Sequence, residues 1–127
     1  VDISFFCAAS HPLAREEQVS LERLLQENFI LTEKGCNYRQ VFESDLAARD
    51  QTLRCVTEIG YSQYIIQAVT RQLGIGLLPS ITLKDALKEG SISLIQVENY
   101  QIRMSIQVIY SSRRRVSLPL HAFLGAL

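Results

Sequence analysis

The sequence has almost no excess charge of either sign: thirteen Lys and Arg offset thirteen Asp and Glu. No overall field favours a polyanion, so DNA contact by this segment alone is not expected. No apolar run reaches the roughly 18 residues a membrane span needs, and no charged leader precedes an apolar core. Both absences argue against a membrane partner and for a soluble, cytoplasmic chain. Cysteine is sparse and odd in number: Cys7, Cys36 and Cys55 lack C-x-x-C spacing, which speaks against a disulfide scaffold or a zinc site and suits a reducing compartment. No internal repeat or low-complexity stretch occurs. No Ser-His-Asp, paired-carboxylate or phosphate-loop constellation stands at a strand end, so no catalytic residue, cofactor or metal is assigned.

What is present is the composition of one globular domain with a core, 47% hydrophobic and 20% charged over 127 residues. Residues 3–9 form a nearly continuous apolar run broken by Ser10, His11 and Pro12, the pattern of a buried strand. Leu21, Leu24 and Leu25 suggest one or two helical turns before a second strand, Phe29-Ile30-Leu31. Tyr38, Val41, Phe42 and Leu46 recur at helical steps over residues 36–49, with Arg39 and Glu43 paired one turn apart on the outer side. A third strand over 53–57 leads through Gly60 and Tyr61 into a helix with Ser62 as N-cap and Ile65, Val69 and Leu73 on one face. Gly74 is read as its left-handed C-cap, and residues 75–78 as a strand stopped by Pro79. Thr82 and Asp85 resemble a capping box for a short helix closed by Gly90. Strands over 92–97 and 104–110 follow, and Ser117 and Pro119 open a last helix toward Leu127. Such alternation predicts an α/β fold: a mostly parallel sheet with helices on both faces.

Several stretches, in this order, resemble the effector-sensing domain of LysR-type bacterial transcription regulators. They are Ser10-His11-Pro12-Leu13-Ala14, Thr32-Glu33-Lys34-Gly35-Cys36 with Tyr38-Arg39, Gly74-Ile75-Gly76-Leu77-Leu78-Pro79, Lys88-Glu89-Gly90, and the segment 118–124. The resemblance implies a protein similar to type 2 periplasmic binding proteins, with two α/β lobes joined by crossing strands and a ligand in the cleft between them. It further implies that this chain is a partial domain: the second lobe over about 11–103, hinge strands over about 3–9 and 104–110, and a return segment over 111–127. Ala9, Ser10, His11 and Tyr110 would then be hinge residues. A helix-turn-helix DNA reader would lie outside this chain, the intact protein would be a homo-oligomer, and a small-molecule effector would shift the angle between lobes.

Ligands of open parallel sheets sit at the carboxyl ends of strands, where loops and helix N-termini present free backbone N–H groups. The loops after the second and third strands qualify, which nominates Thr32, Glu33, Lys34, Gly35, Gly60, Tyr61 and Ser62 as effector contacts and a small carboxylate or other anion as ligand. The plainer reading of the same residues is helix caps and turns. Gly74-Ile75-Gly76 follows a helix and precedes a strand, the reverse of a dinucleotide loop. His11 is read as a turn or hinge residue, His121 as packing, and Arg113, Arg114 and Arg115 as a solvated turn. Cys36 near a helix start beside Lys34 is the basis of two alternatives, thiol sensing with Cys55 as a second thiol, or a small α/β enzyme using Cys36 or His11.

Overall fold

The computed structural model describes residues 2–53 and 56–104. The expected strand over 104–110 beyond Met104, the last helix, Tyr110, His121, Cys55 and Arg113 to Arg115 lie outside them. The apolar runs become strands: β1 Asp2–Ala8, β2 Phe29–Leu31, β3 Val56–Glu58, β4 Ile75–Pro79, β5 Ile92–Ile95 and a two-residue β6, Ile102–Arg103. Between them lie α1 Leu21–Leu24, α2 Asn37–Ala48, α3 Ser62–Thr70 and α4 Lys84–Glu89, with 3₁₀ turns at Pro12–Arg15 and Ser80–Leu83.

All six strands among the described residues form one sheet in the order β3-β2-β4-β1-β5, with β6 also on β1. β2 pairs parallel with β3 and with β4, as crossover helices require. β1 is the exception, antiparallel to β4, β5 and β6 alike. The sheet is therefore mixed: the other strands share one direction, and β1, set between β4 and the outer strands β5 and β6, opposes them. A strand's apolar pattern carries no information about its direction, so this reversal was not foreseen.

Side chains alternate across the sheet, and each face meets helices. Phe5, Cys7, Phe29, Leu31, Ile75 and Leu77 join Phe42 and Leu46 of α2 in one cluster. Phe6, Ile30 and Leu78 join Ile65 and Val69 of α3 and Ala86 of α4 in the other. Helices on both faces are thus observed. Phe5, Phe29 and Phe42 meet edge-on or tilted, with centroids 5.0 to 6.4 Å apart, which fixes α2 over the middle of the sheet.

Local punctuation differs from expectation in several places. The left-handed residue after α3 is Gln72, at φ 61°, not Gly74; Gly74 instead lets the chain pass close to the Asn28 carbonyl, which a Cβ would meet at 2.9 Å. Leu73 lies beyond the helix and is exposed. Tyr61 rather than Ser62 holds the N-cap of α3, without a side-chain hydrogen bond. The Thr82 hydroxyl donates to the Pro79 carbonyl within its own 3₁₀ turn, so no capping box forms. Gly90 closes α4 in the left-handed region as expected, at φ 79°.

Candidate functional site

The parallel register places the ends of β2 and β3 side by side, with Leu31 opposite Glu58 and the Ile59 amide donating to the Leu31 carbonyl at 2.9 Å. The loops over 32–36 and 58–62 therefore leave the sheet together. Glu33 leans onto the second loop: its Oε1 lies 3.2 Å from where a Cβ on Gly60 would stand. The first loop turns through Gly35 at φ 104°, closed by the Cys36 amide donating to the Glu33 carbonyl. Each loop runs directly into a helix, α2 after Cys36 and α3 after Tyr61, and neither N-cap side chain accepts a backbone hydrogen bond. Two helix starts with open N–H groups thus face one edge. Thr32, Glu33, Lys34, Gly35, Gly60, Tyr61 and Ser62 are brought to this single edge. Tyr61 is 69% exposed and meets Tyr64 edge-on at 5.9 Å.

Beneath the loops lies a residue that sequence reading put on the outer side. Arg39 is buried, its Nη1 donating to the Thr32 carbonyl at 2.6 Å and to Glu58 Oε2 at 2.9 Å, its Nε 3.3 Å from Glu43 Oε1. The expected pairing with Glu43 exists, but its location is corrected: one buried cation on α2 ties together the ends of β2 and β3. A signal was available, because Arg39, Phe42 and Leu46 stand at the i, i+3 and i+7 positions of the buried stripe. Nearby, Thr32 Oγ1 is shut off from solvent without a hydrogen bond of good geometry. Burial, then the Cys36 thiol, push the Tyr38 phenol up to about 12.

Ala9, Ser10 and His11 stand elsewhere. β1 runs from Asp2, beside Arg103, to Ala8, beside Ile92, and the Ala9 amide continues onto the Ser91 carbonyl. These three residues therefore occupy the sheet edge opposite the two loops, while Asp2 and Arg103 flank the loop edge. Ser10 Oγ accepts from Gln72 Nε2. His11 Nδ1 accepts the Leu13 amide at 3.0 Å, so its Nε2 carries the proton and donates to Glu27 Oε1 at 3.0 Å. Glu27 also takes Arg23 Nη1 at 2.7 Å. This acidic partner, sixteen residues away, was invisible to local reading. Burial raises the Glu27 carboxyl, but Arg23 and His11 outweigh it and hold it below the usual range. Burial, reinforced by Glu27, pushes the Cys7 thiol up to about 11. Cys36 is half-buried. Two surface hollows, of about 300 and 460 Å³, flank α2 along Leu46, Leu53 and Val56 and along Asn37, Val41 and Met104, away from the space between the loops. Among the described residues no helix is long and apolar enough to cross a membrane.

Comparison with known proteins gives the family and the fold. Residues 2–127 match the family model described as LysR substrate binding domain. A RuBisCO operon transcriptional regulator of Allochromatium vinosum is 31% identical over 113 residues, covering 89% of this chain and 37% of that protein. The HTH-type transcriptional regulator YwqM of Bacillus subtilis, itself uncharacterized, is 32% identical over 97% of this chain and 41% of its own length. The chain thus spans about two-fifths of the length of these relatives. Among solved structures, the CcmR regulatory domain of Synechocystis in complex with 2-PG superposes with a TM-score of 0.73 at 20% identity, over 98% of this chain and 60% of that one. The BenM effector binding domain with its effector benzoate gives 0.64 at 18% identity, over 98% and 62%. The effector binding domain of QuiR in complex with shikimate gives 0.66 at 16%, over 80% and 47%. These likenesses establish the α/β fold of an effector-binding domain. With the family model matched from Asp2 to the last residue, the chain belongs to the LysR substrate binding domain family.

Proposed function

We propose that this chain is one wall of the effector cleft of a LysR-type transcription regulator. A small anionic molecule binds against the loops over 32–36 and 58–62 and changes the angle between this lobe and its counterpart. The observation that carries the reading is the convergence of two helix N-termini, those of α2 and α3, without side-chain caps, on the edge where the chain crosses at Asp2 and Arg103. Tyr61 and Ser62 add hydroxyls, the enclosed Thr32 hydroxyl lies just beneath the first loop, and Gly35 and Gly60 let a ligand come close to the backbone. Structural neighbours are described with 2-PG, shikimate and benzoate, the last two carboxylates. DNA is read by a domain outside this chain, the regulator works as a homo-oligomer in the cytoplasm, and the effector acts by population shift. We place the hinge at Asp2 and Met104 rather than at Ala9 to His11.

A thermal-shift screen of small carboxylates and phosphates tests the reading, since a ligand of the native state raises Tm by mass action. The expected result is a compound that stabilises the wild type and loses its effect in Thr32→Ala and in Ser62→Ala. A shift that persists in both variants moves the site away from these loops.

A further inference from the structure

We propose, building on the sensor reading above, that Arg39 is the anion-holding group of this wall and that Glu58 occupies it as an internal stand-in until the effector arrives. Around the two loops stand three carboxylates, Glu33, Glu43 and Glu58, and two cations, Lys34 and Arg39. A free anion added to that set meets a rim already net negative, so binding requires one carboxylate to leave. The three are held differently. Glu43 sits one turn along α2 from Arg39, on the same helix. Glu33 rests on Gly60 of the other loop. Glu58 is the last residue of a three-residue strand, its side chain is 45% exposed, and one carboxylate oxygen holds Arg39 at 2.9 Å. It is free to swing into solvent.

The guanidinium is not free to follow. Its side chain is only 4% exposed, and the Thr32 carbonyl holds the same Nη1 at 2.6 Å. When Glu58 leaves, the buried cation keeps Glu43 beside its Nε and the Thr32 carbonyl at Nη1 but loses the charged partner of Nη1, which is costly unless another anion takes the position. A guanidinium suits a carboxylate or phosphate in that position through paired N–H donors. The site therefore exchanges one anion for another rather than adding one. The exchange also releases the end of β3 from α2, so occupancy is passed to the loop over 58–62.

The test is an NMR titration of the 127-residue chain with benzoate, shikimate and inorganic phosphate, following the Gly35 and Gly60 amides and the Arg39 Nε signal. Wild type, Glu58→Gln and Arg39→Lys are compared. Neutralising the stand-in should tighten at least one anion by about tenfold, the counterpart of losing one charge-assisted hydrogen bond. The Arg39 Nε signal should move with the loop amides, and Arg39→Lys should bind more weakly than wild type. Loop shifts with equal or weaker affinity in Glu58→Gln, or with a stationary Arg39 signal, overturn the exchange and leave the sensor reading standing. If no anion moves either loop in wild type or Glu58→Gln, the anion reading and the exchange fall together.

Discussion

Gly76 faces Phe6 directly across the β1–β4 pair, and the ring lies over the space a side chain would fill. A Cβ there would come within 2.5 Å of Phe6 Cε1 and 3.0 Å of Val69 Cγ2. Phe6 and Val69 are fully buried, so neither can yield freely. Gly76→Ala is expected to cost about 1–3 kcal/mol by overpacking, read as a lower urea midpoint with an unchanged slope. Glu27 gives a second test at this scale. Its folded carboxyl lies below its ordinary 4.5, so its contribution to stability is complete above that value and is lost as pH falls through the folded value. Glu27→Gln should therefore be less stable than wild type at neutral pH, with the gap closing as the medium is acidified below 4.5. A gap independent of pH would mean that the carboxylate's charge contributes nothing. The sequence shows Gly76 within an apolar strand but not the ring that lies over it. It could not show His11 and Glu27 meeting, because no local pattern links residues sixteen apart.

Three helices end in the same way. After α2, the Asp50 amide donates to Ala47 and the Gln51 amide to Leu46; after α3, Gln72 donates to Val69 and Leu73 to Ala68; after α4, Gly90 donates to Leu87 and Ser91 to Ala86. Each is the paired closure that requires one left-handed residue. Only α4 supplies glycine for it, while Asp50 and Gln72 adopt φ of 55° and 61°. Asp50→Gly should stabilise the chain by roughly half to one kcal/mol, because relief of the left-handed penalty exceeds the added freedom of the unfolded chain. Thermal melts of this variant and wild type suffice to check it. Gln72→Gly should gain less, since it forfeits the bond to Ser10. This explains why helix existence was legible and helix termination was not. The apolar steps of Phe42 and Leu46, or of Ile65 and Val69, survive in sequence as period. A left-handed position filled by aspartate or glutamine leaves no such mark, and the nearby Gly74 drew the cap to itself.

At the scale of the molecule, the β2, β3 and β4 set follows from the strand and helix alternation, and so does the edge on which its loops open. The reversed strand does not, since β1 gives the same apolar run whichever way it points. The seven candidate contacts were nominated from that edge rule together with the family resemblance, and the structure brings their two loops to one edge. Arg39, which lies under them, was missed because a charged residue was read as outward on type rather than position. One wall of a cleft encloses only part of a ligand. A compound that stabilises this chain should thus bind the intact regulator at least about tenfold more tightly by titration calorimetry, as more of its surface is covered. Equal affinities would mean that this lobe alone makes the contacts.

The pairing of Asp2 with Arg103 has a further meaning. Partners in an antiparallel ladder stand about 5 Å apart, so the described path from Asp2 to Arg103 returns to nearly the place where it starts. To the rest of a longer chain, the whole unit occupies no more room than a tight loop. Such a module can be gained, lost or exchanged between hosts at a single surface turn, without breaking the host's own core.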